Sequence, residues 1–73
     1  MKKVFRFENL DCAHCAARME EKIAKLDGVI SVQVGFLTQK LTLEAEDAMF
    51  DEVLLKAAKI CRKIEPDCKL ILG

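Results

Sequence analysis

Apolar residues change their spacing along this chain in a fixed order, and that order constrains the fold more tightly than any other feature. From Lys2 to Glu8 the period is two, with Phe5 and Phe7 on one side and Arg6 and Glu8 on the other, as a half-buried strand requires. Between Ala13 and Leu26 the apolar residues Ala16, Met19, Ile23 and Leu26 recur at steps of three and four, while Arg18, Glu21, Lys22 and Lys25 take the opposite side. This is the stripe of an amphipathic helix. Asp27-Gly28 ends it, because glycine accepts the left-handed conformation that a helix C-terminus commonly needs. Ile30, Val32 and Val34 then alternate with Ser31, Gln33 and Gly35. After a turn near Phe36 to Gln39, Leu41 and Leu43 alternate with Lys40, Thr42 and Glu44, which predicts a hairpin. Behind Asp47, the expected N-cap, the residues Phe50, Val53, Leu54, Ala57, Ala58 and Cys61 restore helical spacing, bounded by Pro66. Cys68, Leu70 and Leu72 alternate with Lys69 and Ile71 as a short last strand.

Strand, helix, strand, strand, helix, strand is the order of an α+β, ferredoxin-like βαββαβ sandwich. It predicts one four-stranded antiparallel sheet with both helices on one face. With 73 residues the chain is expected to form a single domain, 1–73, and has no room for a second. Right-handed crossovers bring the loop after strand one, the hairpin turn and the loop after helix two to the same end of the sheet. Asp11, Cys12, Cys15, Phe36, Leu37, Cys61 and Cys68 are therefore expected at or near that end.

Twelve basic residues balance twelve acidic ones, so no overall field draws the chain to nucleic acid or to an anionic membrane. The longest uncharged run, Gly28 to Gln39, is broken by Ser31, Gln33 and Gly35 and is too short and polar to span a bilayer, which needs about 18 to 20 apolar residues. Direct membrane insertion is not expected. Met1-Lys2-Lys3 has the basic start of a signal peptide but no apolar stretch behind it, so the expected location is cytoplasmic. In that reducing compartment a Cys-x-x-Cys pair serves metal or redox chemistry more often than structural crosslinking.

The pair in question lies in Asp11-Cys12-Ala13-His14-Cys15, at the junction of strand one and helix one. One sulfur sits in the loop and the other in the first helical turn, where both can point at one ion. The unsatisfied N–H groups and partial positive charge of a helix start favour thiolate, so both sulfurs are expected in the form that binds metal. Two thiolates make a soft, incomplete shell that suits linear Cu(I), or Zn(II) and Cd(II) once further ligands arrive. Asp11 is the natural third ligand, and a carboxylate oxygen tilts the choice toward Zn(II), Cd(II) or Pb(II); the alternative is that it only caps helix one. His14 is expected to face solvent. Cys61 falls on the buried side of helix two, where it either packs, supplies a third or fourth thiolate, or bonds to Cys68; Cys68 carries the same alternatives.

From end to end the chain resembles the heavy-metal-associated domain. That family's signature is Gly-Met-x-Cys-x-x-Cys, and Asn9-Leu10-Asp11-Cys12-Ala13-His14-Cys15 keeps both cysteines while Asn9 and Leu10 replace the glycine and methionine. Leu10 is expected to take over as the buried anchor of the loop. Ala16-Ala17-Arg18-Met19-Glu20, Leu26-Asp27-Gly28-Val29 and Lys40-Leu41-Thr42-Leu43 are similar to the family's other landmarks. An Asp directly before the first Cys is similar to the zinc, cadmium and lead exporters. In place of the family's Gly-Tyr or Gly-Phe after helix two, this chain has Lys59-Ile60-Cys61-Arg62-Lys63 and then Pro66-Asp67-Cys68.

The resemblance implies a monomeric, non-catalytic metal-binding module, the cytosolic N-terminal domain of a metal-translocating P-type ATPase. Its partners would be the parent transporter's other domains or a donor or acceptor metal-binding protein. The alternative it implies is a free-standing Cu(I) metallochaperone. A thiol-disulfide oxidoreductase is a further reading of Cys-Ala-His-Cys. Against it, no Trp precedes the motif and no Pro lies between the cysteines.

Overall fold

The computed structural model describes residues 1–72, and Gly73 lies outside them. Strand β1 (Lys2–Glu8) leads to helix α1 (Ala13–Ala24), the hairpin β2 (Val29–Gly35) and β3 (Lys40–Ala45), helix α2 (Phe50–Ile64) and strand β4 (Lys69–Ile71). The sheet order is β2-β3-β1-β4 with every neighbouring pair antiparallel, the ferredoxin-like arrangement that the spacing of apolar residues predicts.

The core lies between sheet and helices. Phe5 and Phe7 of β1, Val34 of β2, and Leu41, Leu43 and Ala45 of β3 face Ala16, Met19 and Ile23 of α1 and Phe50, Val53, Ala57 and Cys61 of α2. Leu41 and Leu43 sit on the central strand and are fully buried; each contributes about 1.5–3 kcal/mol by leaving water. The Phe5 and Phe50 rings meet at 6.4 Å in a tilted arrangement, tying the sheet to the start of α2. Acidic Asp51 and Glu52 in the first turn of α2, with Arg62 and Lys63 in its last, match the helix dipole.

Three local expectations fail, each for a tertiary reason. Ile30 was expected to face inward with Val32 and Val34, yet it is 61% exposed. Val29 pairs with Ala45 and Ser31 with the next residue, Glu44, so Ile30 is the extra residue of a β-bulge. The bulge resets the phase, so that Val29, Val32 and Val34 turn inward and Ile30 turns out. Asp47 does not cap α2: it opens a short 3-10 turn, Asp47–Met49, and Met49 precedes the helix without a side-chain cap. Helix α1 ends at Ala24 rather than Leu26, with Lys25 as its C-cap. Gly28 follows at φ +91°, where a Cβ would stand 3.0 Å from Met49 Sδ, so the turn after α1 needs a residue without one.

The crossovers bring the expected loops together. The Gln39 side chain in the hairpin turn bonds to both backbone groups of Leu10 in the β1–α1 loop. Glu65, after α2, lies close enough to Cys12 and Cys15 for its charge to act on both, and Asp11 lies close enough to Cys68 to do the same.

Candidate metal centre

Leu10 is buried to 1% exposure and anchors the loop, as expected. Two residues on, Cys12 has extended backbone (φ −121°, ψ 113°) and is itself the N-cap of α1. Its carbonyl accepts the first helical bond, from Ala16 N at 3.0 Å, and its Sγ accepts from Cys15 N at 3.2 Å. The cap is therefore a sulfur, and Asp11 stands outside the helix, exposed, rather than capping it. Cys12 and Cys15 are both half-buried free thiols, and His14 between them is exposed.

The two sulfurs are not equivalent. A hydrogen bond from the Cys15 side chain, followed by the backbone N–H of Cys15, draws the Cys12 thiol below its usual pKa. The same shared proton pushes Cys15 up, to about 11. Desolvation, the negative charge on Cys12, and the Glu65 carboxylate, which accepts from Cys15, add to that rise. The expectation that the helix start deprotonates both sulfurs is thus corrected. The backbone donors converge on Cys12, so it is the more acidic thiol of the pair and Cys15 the one that keeps its proton.

Glu65 is the residue that reading the sequence missed. It is half-buried just past α2 and faces Cys15 across 50 positions of chain. The available signal was the pair Glu65-Pro66 in the loop that topology folds onto the cysteines, where the family commonly has Gly with an aromatic. Glu65 from the far loop thus faces the Cys15 sulfur, while Asp11, next to Cys12 in the chain, is exposed and its charge acts on Cys68. Among the described residues, no three His, Cys, Asp or Glu side chains are gathered as a ready-made metal shell. The donor set is a soft pair with hard oxygens at its margin.

Cys61 lies deep, at 1% exposure, and burial pushes its thiol up to about 12, with the nearby Cys68 adding to the shift. Cys68, at 4% exposure, is held up to about 11 by burial and then by the charges of Glu65 and Asp11. Both are neutral thiols at physiological pH. Cys68 stands between the core and the carboxylates, whereas Cys61 packs among the apolar side chains of α2 and the sheet.

A cleft between the helices, lined by Arg18, Lys22, Ile60, Lys63 and Ile64, does not include the cysteines. Cys12 closes the β1–α1 loop and Cys15 lies in the first turn of α1, both half-buried. No helix among the described residues is long and apolar enough to cross a membrane.

The family model described as heavy-metal-associated domain matches residues 4–69. The chain is 34% identical over 64 residues to the copper chaperone CopZ of Enterococcus hirae, covering 88% of this chain and 86% of that one. It is 38% identical over 56 residues to the zinc/cadmium/lead-transporting P-type ATPase of Escherichia coli, covering 73% of this chain but only 8% of the transporter. In structure it is similar to the N-terminal domain of a potential copper-translocating P-type ATPase from Bacillus subtilis. There the TM-score is 0.75 and the identity 27%, with 97% of this chain and 84% of that one covered.

Proposed function

The chain belongs to the heavy-metal-associated domain family, and from that premise we propose that it captures a divalent soft ion, Zn(II), Cd(II) or Pb(II), on Cys12 and Cys15 and releases it by ligand exchange. The observation that carries this reading is the Glu65 carboxylate, which accepts from Cys15 across the fold, with a second carboxylate, Asp11, adjoining Cys12 in the chain. Anionic oxygen adds little to Cu(I), which two thiolates already satisfy in linear geometry, but it completes the charge and coordination of a divalent ion. Asp11 and Glu65 are the candidate third ligands. Cys61 remains in the core, and Cys68 is the thiol closer to the loop.

Capture begins at Cys12, the more acidic of the two thiols. As the ion draws in Cys15, the proton held there leaves, with the Glu65 carboxylate, which already accepts from Cys15, available to take it. The ion then has two sulfurs and a carboxylate, a shell short of the closed tetrahedron of structural zinc sites. An incoming thiolate can bind before an outgoing one departs, so the exposed loop lets the ion pass without being freed into water. The module itself carries no catalytic step. Its setting is the cytosolic N-terminal portion of a metal-exporting P-type ATPase, where the monomeric domain passes its ion to the parent protein. The chain spans less than a tenth of the transporter named above, and that wider activity belongs to the proposal.

A second reading, a free-standing Cu(I) chaperone, is favoured by one observation: the match to the copper chaperone runs over 86% of that small protein. Competition titrations with Cd(II), Zn(II) and Cu(I) under reducing conditions separate the two. Asp11→Ala and Glu65→Gln are each expected to weaken Cd(II) and Zn(II) about tenfold and to change Cu(I) less than about twofold. Equal losses for all three ions would remove the carboxylates as ligands and leave the copper reading standing.

A further inference from the structure

The hairpin turn reaches the metal loop through one side chain. Gln39 Oε1 accepts from Leu10 N at 3.0 Å, and its Nε2 donates to Leu10 O at 2.6 Å and to Phe36 O at 2.8 Å. Both amide hydrogens and the amide oxygen are thus used. The assignment of oxygen and nitrogen is unique, since a flipped amide would set its NH2 against the Leu10 N–H. The backbone oxygen of Gln39 accepts from Phe7 N at 2.8 Å, continuing the β1–β3 ladder one step beyond its last paired residues, Arg6 and Lys40. The chain then kinks at Asn9, φ 62°, and leaves the ladder. Beyond that kink the Gln39 amide takes the place of a strand partner, pairing with both backbone groups of Leu10.

Leu10 is two residues from Cys12, and its side chain is locked in the core. Its peptide groups are the last fixed point before the sulfur that caps α1. Gln39 holds that point from across 29 positions of chain, while its own backbone sits at φ 55°, a left-handed conformation that glycine adopts more readily than glutamine. A side chain kept at an unfavourable backbone position, with two of its three bonds made to the backbone of the metal loop, has a task that the turn alone does not require.

We infer that Gln39 is a positioning residue for the metal site: it bolts the loop frame at Leu10, keeps Cys12 in register with Cys15, and so sets how tightly the ion is held. The inference rests on the Cys12 and Cys15 reading above and adds the residue that determines the rigidity of that pair. Gln39 touches no metal.

The test is Gln39→Gly, which removes all three side-chain bonds but relieves the left-handed backbone, so that the lost bonds and the eased turn offset one another in global stability. The full chain is titrated with Cd(II) alone under reducing conditions, with thermal unfolding and amide hydrogen exchange at Leu10 followed in the metal-free protein. The expected result is a melting temperature within a few degrees of wild type, faster exchange at Leu10, and a Cd(II) dissociation constant raised about tenfold. A dissociation constant within twofold of wild type would overturn the assignment, whatever the exchange rate. So would a loss of affinity that tracks a large fall in melting temperature, because it would mark general destabilisation. Failure of the wild-type chain itself to bind Cd(II) would overturn both readings, and it shows before any variant is compared.

Discussion

Replacing Cys61 by Ala distinguishes a packed thiol from a ligand and gives a pH signature with a defined sign. Cys61 is 1% exposed and its thiol is pushed up to about 12 by burial. Below the unfolded-state value, 9.0, both states keep the proton and the group contributes no pH dependence. Above it the unfolded chain ionises while the folded one does not, so stability falls as pH rises and goes on falling up to the folded-state value. From those two values the loss attributable to this group is on the order of 1 kcal/mol at pH 10 and on the order of 3 kcal/mol at pH 11. Cys61→Ala removes this alkaline limb, at a constant cost of about 1–2 kcal/mol for the lost sulfur and the small cavity. Urea unfolding of both proteins under reductant, followed by circular dichroism from pH 7 to 11, is expected to give curves that converge and cross between about pH 9.5 and 10.5. Cd(II) affinity at pH 7 is expected to stay within twofold. Parallel stability curves would refute the burial argument, and a tenfold loss of Cd(II) affinity would return Cys61 to the ligand set.

At the metal loop pH acts in the opposite sense. Because Cys15 retains its proton up to about 11, binding of a divalent ion at neutral pH must displace at least that proton. The Cd(II) association constant is expected to rise at least about tenfold per pH unit between pH 6.5 and 8.5, and a flat profile by isothermal titration would show that no thiol proton is released. Metal removal is expected to leave the fold intact, since the sheet buries its apolar face without help from the cysteine loop. Thermal unfolding in the presence of a strong chelator should remain a single cooperative transition. A non-cooperative apo chain would point to a structural metal and against transfer.

Much of this protein could be read from residue order. Phe5 and Phe7 on β1, Leu41 and Leu43 on β3, and the α1 stripe of Ala16, Met19 and Ile23 announce their elements because the helix and strand periods belong to the backbone itself. The same holds for Cys12 and Cys15, whose spacing places both sulfurs at one helix start. Ile30 shows where period fails: its neighbours alternate correctly, but the bulge opposite Glu44 and Ala45 is a property of two strands and is invisible in one. Asp47 is suited by type to cap a helix, yet a 3-10 turn intervenes before α2 begins at Phe50.

The candidate site divides along the same line. Sequence by itself determined that two sulfurs stand three positions apart at a helix start, that a carboxylate precedes them, and which loops converge, because these follow from local spacing and from the handedness of crossovers. Only the tertiary structure decided that Cys12 is the lowered thiol and Cys15 the raised one, that Glu65 faces Cys15, and that Gln39 holds Leu10. Hydrogen bonds and charge interactions depend on separations of a few ångströms. Residues 29 and 50 positions apart acquire such separations only when the sheet has closed and brought three loops to one edge.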